Sequence, residues 1–294
     1  ALQAVASAKI IYIDQGRVND YATWVNTLDF VEVENAELDD ASYQAAEQPY
    51  LENKPSQAIT RFEAYLKDFP NGSHTLKAHF YVAQLYFAEN KGDKAIPHYE
   101  FVVGKERSEF SEQALARISE LYLGKKDYNK ALTYLKRLET EADFPQNVIF
   151  AQTNRMKASY ELKKYSEAVT YAEKVLQNGK IDNAIKSDAQ IIVARSAIET
   201  GEEQKAKTAY AEVAKIATGK LAAEALYYDA YFKNKEGKYE ASNASVQKLA
   251  KDFSGYKYYG AKGLVLMAKN FYALKDAYQA TYILESVTTN FTDY

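Results

Sequence analysis

The sequence predicts an all-α fold in which antiparallel helix pairs repeat along the chain as a solenoid of about seven to eight repeats. Three observations support this prediction. Residues that break helices are scarce, with 12 Gly and 5 Pro among 294 residues. Apolar residues recur at helical spacing, and small residues recur every 36 to 38 positions.

The second helix of each pair is marked by a small residue, which we call the anchor. The anchors are Ala58, Ala95, Ala131, Ala168, Ala206, Ser242 and Ala280. Four positions later stand Phe62, Tyr99, Leu135, Ala172, Tyr210, Val246 and Leu284, and seven positions later stand Tyr65, Val102, Leu138, Val175, Val213, Leu249 and Val287. These three offsets lie on one stripe of a helix, which is therefore predicted to face the core.

The first helix of each pair carries a small residue twelve positions before the anchor. These residues are Ala46, Ala83, Ser119, Ala194, Ala230 and Ala268, with Met156 as the exception. Two antiparallel helices approach closely where side chains are small, and bulky residues then fill the grooves beside that contact. Short polar connectors such as Glu89-Asn-Lys-Gly-Asp93 separate the two helices of a pair and supply cap residues.

The repeat predicts a single solenoid over residues 1–294, with seven repeats in 39–294 and a degenerate first helix pair in 1–38. Residues 31–34, Val-Glu-Val-Glu, alternate like a short strand, but no partner strand is evident. The chain begins without Met and ends without a terminating signal, so we interpret it as a fragment of a longer repeat protein.

The segment Ala58-Ile-Thr-Arg-Phe-Glu-Ala-Tyr-Leu-Lys-Asp-Phe-Pro70 resembles the second helix of a tetratricopeptide repeat, and Ala78-His-Phe-Tyr-Val-Ala-Gln-Leu-Tyr86 resembles the first helix of the next repeat. The residue pattern of these segments is similar to that of periplasmic tetratricopeptide proteins in Gram-negative bacteria. Examples of this subgroup are the lipoprotein of the β-barrel assembly machine and the periplasmic partner of the Tol–Pal system. The resemblance implies a right-handed solenoid that binds proteins on its concave face. It also implies a location in the periplasm or cell envelope, with the cytoplasm as the alternative.

The resemblance also implies which residues line that concave face, because the first helices form it in this family. Carried over by position, the predicted partner-binding residues are Tyr43, Glu47, Tyr50, Phe80, Gln84, Phe87, Glu120, Arg195, Tyr227, Tyr231, Lys269 and Tyr272. Aromatic side chains beside single polar groups suit an extended peptide or a partner helix. The alternative for each ring is that it packs between neighbouring repeats.

No residue pattern indicates catalysis, and we predict neither a catalytic residue, a cofactor nor a metal site. The chain has no cysteine, no phosphate-binding glycine loop and no metal-ligand spacing among its three histidines. The carboxylate pairs Asp39-Asp40 and Glu202-Glu203 are predicted to cap helix starts. With 37 basic and 40 acidic residues, the net charge of −3 argues against nucleic acid as a partner. No apolar run is long enough for a membrane span.

We therefore predict a non-enzymatic scaffold that binds another protein. One alternative is a structural segment of a larger envelope complex, with homo-oligomers forming through the solenoid ends. A further alternative is the binding of a small molecule or a glycan by the concave tyrosines.

Overall fold

The computed structural model describes residues 1–31 and 34–292, and these form two compact units, Ala1–Asp143 and Phe144–Tyr294. The first unit contains α1 (Leu2–Asp14), α2 (Val18–Val25), α3 (Asn35–Leu51), α4 (Pro55–Asp68), α5 (Thr75–Ala88), α6 (Gly92–Val103), α7 (Ser111–Gly124) and α8 (Tyr128–Glu141). The second unit contains α9 (Pro145–Glu161), α10 (Tyr165–Gln177), α11 (Asn183–Glu199), α12 (Glu203–Ile216), α13 (Gly219–Lys235), α14 (Tyr239–Asp252), α15 (Lys257–Ala273) and α16 (Ala277–Asn290).

Within each unit, every helix packs against the helices before and after it in that unit. Short turns join the two members of each pair, and the pairs follow one another as a row. Residues 1–31 and 34–292 contain sixteen helices and no strand. The predicted fold class, a helix-pair solenoid without sheets, is therefore confirmed. That the two units continue each other as one solenoid stays a prediction.

The anchor residues lie where the two helices of a pair come closest. Six of the seven anchors are fully buried, and Ala280 is 5% exposed. The stripe residues four and seven positions later are also buried from Phe62 to Leu249. Only in α16 does the stripe reach the surface, because Leu284 is 46% exposed and Val287 is half-buried.

A second row of small residues lies seventeen positions before each anchor and was not predicted. Its members are Ala41, Ala78, Ala114, Ala151, Ala189, Ala225 and Gly263, all buried. Gly263 shows why they are small: a Cβ atom there would lie 3.2 Å from side-chain atoms of both Val246 and Leu249, the stripe residues of the preceding pair. Each first helix therefore contacts the pair before it through a small residue, as well as its own partner.

Every turn inside the seven pairs has one residue in the left-handed backbone region, five positions before the anchor. These residues are Asn53, Asn90, Lys126, Lys163, Gly201, Gly237 and Lys275. A residue in this conformation ends a helix by turning the last N–H groups back onto free carbonyls. In the first pair, for example, the N–H of Asn53 donates to Tyr50 and that of Lys54 donates to Pro49.

The N-terminal residues form the pair α1 and α2, which packs on α3. Val5, Val18, Tyr21 and Val25 are its buried residues, and Trp24 packs against the cluster that Val5, Tyr21 and Val25 form. Within the alternating run 31–34, residues 32 and 33 lie outside the described residues.

The prediction that Asp39 caps a helix start is wrong. Helix α3 begins at Asn35, so Asp39 lies inside the helix, where its side chain is buried. Its carboxylate instead accepts hydrogen bonds from the Tyr65 hydroxyl at 2.5 Å and from the Ser73 backbone N–H at 2.6 Å. Asp39 therefore joins α3 to α4 and to the turn that follows α4.

Candidate functional site

The candidate site lies in the second unit, on the first helices α11, α13 and α15. Its centre is the carboxylate of Glu224 in α13, which is only 2% exposed. Arg195 of α11 donates to both of its oxygens, from Nε at 2.7 Å and from Nη2 at 2.6 Å. Such a two-pronged contact fixes the orientation of both side chains and satisfies most of the buried charge.

Two tyrosine hydroxyls complete the coordination of this carboxylate. Tyr210 of α12 donates at 2.9 Å and Tyr259 of α15 donates at 2.6 Å. Four donors from three other helices therefore converge on Glu224. Because an unpaired charge would be costly at this depth, the network holds α11, α12, α13 and α15 in one arrangement.

The pKa values of these groups follow from that arrangement. Burial alone would raise the pKa of Glu224, but the hydrogen bonds from Arg195 and Tyr259 outweigh it and lower the pKa below its ordinary value. The hydrogen bond to Glu224 raises the pKa of Arg195. Burial, reinforced by Glu224, raises the pKa of Tyr210 and of Tyr259. All four groups keep their ordinary charge states at neutral pH.

Next to this network lies a group of rings that we call the tyrosine cluster: Tyr227, Tyr228, Tyr231 and Tyr258. Tyr228 stacks on Tyr210, with ring centroids 4.1 Å apart, and meets the rings of Tyr227 and Tyr231 edge to face at 5.1 and 5.9 Å. Edge-to-face and stacked rings are the arrangements that the ring quadrupoles favour. The rings are therefore held in place by one another and by the network beneath them.

Lys262 of α15 lies over three rings of the tyrosine cluster. Its Nζ is 4.6 Å from the centroid of Tyr227, 5.3 Å from that of Tyr258 and 5.9 Å from that of Tyr228. A cation over ring faces is attracted by their negative centre. Within residues 1–31 and 34–292, no carboxylate forms an ion pair with Lys262.

The predicted residues of the second unit divide between the site and the surface beyond it. Arg195, Tyr227 and Tyr231 belong to the site, although Tyr227 is only 8% exposed. Lys269 is exposed, and Tyr272 is 75% exposed. The structure does not join these two residues to the tyrosine cluster.

The predicted residues of the first unit mostly contact other side chains of that unit. Tyr43 is buried and donates to Glu47, which also pairs with Lys77. Tyr50 stacks on Tyr81 at 4.4 Å, and buried Phe80 packs on Phe110 at 4.7 Å. The other three predicted residues are Gln84 and Phe87, which are half-buried, and Glu120, which is exposed and pairs with Arg117.

Six residues of the site were not predicted as site residues: Tyr210, Glu224, Tyr228, Tyr258, Tyr259 and Lys262. A signal for two of them was present in the sequence. A charged residue stands eighteen positions before five of the seven anchors, at Asp40, Lys77, Asp188, Glu224 and Lys262. In α3, α13 and α15 this position is the sixth residue of the helix, beside the predicted face. Glu224 and Lys262 carry opposite charges there in neighbouring repeats.

Two of the three histidines contact each other, and the third lies beside a carboxylate. His79 and His98 contact each other through their Nδ1 atoms at 2.8 Å, and His74 lies 2.8 Å from Asp40. In the described part of the chain, no three side chains of the metal-binding types converge. Among the same residues, the longest helices have 17 residues, and none has both the length and the apolar character of a membrane-spanning segment.

Comparison with known proteins adds evidence on the fold. No protein-family model and no curated protein matches the sequence. Among solved structures, the apo form of RapI is 14% identical with a TM-score of 0.52, covering 98% of this chain and 85% of its own. This level of likeness shows a shared fold and nothing finer.

Two further matches have lower TM-scores and carry no argument. One is the C-terminal part of a TPR repeat-containing protein from Cytophaga hutchinsonii, which is 16% identical with a TM-score of 0.49, covering 83% of this chain and 94% of its own. The other is a tetratricopeptide repeat protein from Parabacteroides merdae, which is 15% identical with a TM-score of 0.44, covering 85% of this chain and 92% of its own. The buried anchors, the helix pairs and their spacing give the protein a tetratricopeptide-repeat fold. The resemblance to the periplasmic subgroup stays a prediction.

Proposed function

We propose that the protein is an interaction scaffold that binds a segment of a partner protein on the first-helix face of its second unit. The observation that supports this most directly is the tyrosine cluster under Lys262. Tyrosines held by stacking lose little conformational freedom on binding, and they offer both apolar area and a hydroxyl. Such rings are suitable anchors for a peptide or a helix.

The charge of the face limits the chemistry of the partner segment. Lys262 has aromatic neighbours but no carboxylate among the described residues, whereas Arg195 is already bonded to Glu224. The partner segment therefore supplies an acidic side chain for Lys262 and apolar groups for Tyr231 and Tyr258. The other predicted face residues that reach the surface are proposed as partner contacts, each on its own unit: Glu47, Tyr50, Gln84, Phe87, Glu120, Lys269 and Tyr272. A bacterial envelope setting is proposed with this function.

The first experiment is affinity capture from a bacterial envelope extract, followed by measurement of the dissociation constant with the purified partner. The test variant carries Tyr231→Ala and Tyr258→Ala, which spares the buried Tyr227 ring. The control carries Tyr278→Ala and Tyr282→Ala on α16, where the two rings are 79% and 63% exposed.

We expect the test variant to bind about tenfold or more weakly, with unchanged circular dichroism, and the control to bind like the wild type. Equal binding by all three proteins would show that the tyrosine cluster is not the binding surface.

A second candidate function, self-association, is favoured by the exposed apolar side chains of the last helix pair. Tyr272, Leu274, Tyr278, Tyr282 and Leu284 are each more than a third exposed. Clusters of this kind often mark contact surfaces. Light scattering of the wild type and of Leu284→Asp tests it: a dimer that becomes a monomer supports the interface, and a monomeric wild type excludes it.

A further inference from the structure

A second concave surface lies on the opposite side of α13 from the tyrosine cluster. Here α12, α13 and α14 enclose a groove of about 670 Å³, a volume within the usual range of small-molecule sites. Leu226, Asp229 and Lys233 of α13 face the groove, whereas Tyr227 and Tyr231 of the same helix face the other way. The groove therefore opens on a different side of α13 from the proposed protein-binding face, although Tyr210, which stacks on Tyr228, also lines it.

The groove is open because its α12 wall is built from alanines. Ala211 and Ala214 stand five and eight positions after their anchor, and both line the groove. In the four preceding pairs, the residues at the first position are Glu63, Glu100, Lys136 and Glu173, and those at the second are Leu66, Val103, Glu139 and Leu176. Alanine at these two positions leaves the α12 wall without the longer side chains that the earlier pairs carry there.

Three charged residues of the groove stand at repeat positions that are apolar in most other pairs. Lys207 corresponds to Ile59, Ile96 and Val169; Asp229 corresponds to Val82, Ile118 and Val193; Lys233 corresponds to Tyr86, Tyr122 and Phe271. Charges at positions that otherwise build the core are locally unfavourable. Departures of this kind concentrate at functional sites.

The polar and apolar residues of the groove are concentrated at different ends. At one end, Lys207 and Lys238 both pair with Glu236. There, too, Lys233 Nζ lies 2.7 Å from Asp229, which also accepts the Ser245 hydroxyl at 2.6 Å. Three ammonium groups therefore face two carboxylates, which leaves one positive charge.

The other end is lined by Ala214, Ala217, Ala222, Leu226 and Phe253, with the opposite charges of Lys248 and Asp252 at its rim. The side chains of these five residues offer neither a donor nor an acceptor. A peptide lying there would leave backbone N–H and C=O groups without partners from these side chains, whereas an alkyl chain has none to satisfy.

We propose that this groove binds a monoanionic amphiphile, with its alkyl chain along the alanines, Leu226 and Phe253 and its anionic head beside Lys207 and Lys238. The excess positive charge at one end and the apolar lining at the other match these two parts of the ligand. The test variants below change no residue of the tyrosine cluster, so the proposal stands or falls apart from the scaffold function.

The test uses dodecanoate as the probe, titrated by calorimetry below its micelle concentration into the full chain. Ala214→Leu fills the apolar end and is expected to weaken binding about tenfold. Its matched control is Ala250→Leu, at the corresponding exposed position of the next pair. Lys238→Gln removes the excess charge and is expected to weaken dodecanoate about tenfold, with no effect on dodecanol.

Saturable binding of one dodecanoate that responds to Ala214→Leu and Lys238→Gln, but not to Ala250→Leu, supports the proposal. The absence of saturable binding, or binding that ignores Ala214→Leu, overturns it. If dodecanoate does not bind while an acidic leucine-rich peptide binds and responds to Ala214→Leu, the groove is a peptide site and the amphiphile proposal is wrong.

Discussion

Tyrosine hydroxyls donate to carboxylates in both units of the protein, and the bonds given next involve seven of its 26 tyrosines. The bonds run from Tyr43 to Glu47, Tyr65 to Asp39, Tyr86 to Glu63, Tyr122 and Tyr134 to Glu100, and Tyr210 and Tyr259 to Glu224. The ring of a tyrosine contributes apolar area to a contact between helices, while its hydroxyl donates a hydrogen bond to a carboxylate beside that contact. One tyrosine side chain therefore both fills a helix contact and compensates a partly buried negative charge.

Four donors converge on the carboxylate of Glu224. Glu224→Gln would leave the guanidinium of Arg195 without its counter-charge, and we expect a loss of about 3 kcal/mol in the free energy of unfolding. Glu120→Gln is the control, because its pair with Arg117 is exposed, and it should change stability by less than about 0.5 kcal/mol. Urea unfolding measures both. Similar losses in the two variants would contradict the assigned role of Glu224.

His79 predicts how stability depends on pH. Burial, with the nearby charges of His98 and Lys105, lowers the pKa of His79 from 6.5 to about 4. Between these values the unfolded chain binds a proton at His79 and the folded chain does not, so stability falls as the pH is lowered from 6.5 towards 4. His79→Gln removes this contribution, and its stability should fall less steeply in denaturant titrations across that window. Parallel curves would show that His79 does not contribute.

The sequence predicts individual site residues less well than the fold. Tyr231 and Arg195 could be found because they lie on the inner stripe of first helices. Glu224 is equally regular in position, but its importance depends on donors from α11, α12 and α15, which only the folded packing brings together. The same holds for Lys262, whose neighbours come from α13 and α15.

At the scale of elements, the same repeat position has different consequences in different pairs. Leu135 and Leu284 both stand four positions after an anchor, yet Leu135 is fully buried and Leu284 is 46% exposed. The residue type is set by the repeat, but its burial is set by whether another helix packs over the stripe. The position of a residue in the repeat therefore does not by itself determine how much the residue contributes to the free energy of unfolding.

The matched substitutions Leu135→Ala and Leu284→Ala test this difference. Removing Leu135 leaves a cavity and should cost about 2–5 kcal/mol. Removing Leu284 should cost about 1 kcal/mol or less, because water already reaches much of it. Thermal or chemical unfolding gives both values, and equal costs would mean that the α16 stripe is covered in solution.

Helix identity and spacing could be predicted almost completely from the anchors, since a close helix contact tolerates only small side chains. The start of α3 could not, because the acidic residues Asp39 and Asp40 look like a cap while the helix begins four residues earlier, at Asn35. The second small row also went unrecognised. Its neighbours, such as Val246 opposite Gly263, are far away in the sequence.

At the scale of the whole molecule, the two compact units are expected to unfold separately. Repeat proteins are stabilised mainly by neighbouring contacts, so a division between units weakens cooperativity. Trp24 is the single tryptophan and lies in the first unit, whereas circular dichroism reports all helices. We expect the fluorescence and circular dichroism transitions in urea to have different midpoints. Coincident transitions would indicate one cooperative body, as a single solenoid predicts.

The left-handed turn residues have a consequence for how the protein tolerates change. Lys126, Lys163 and Lys275 occupy a conformation that costs a side-chain-bearing residue about 1 kcal/mol and that glycine adopts freely. Replacing any of them by Gly should raise the midpoint of thermal unfolding without altering the tyrosine cluster or the α12–α14 groove. Stability lost through substitutions on the proposed recognition surfaces can therefore be recovered at distant turns.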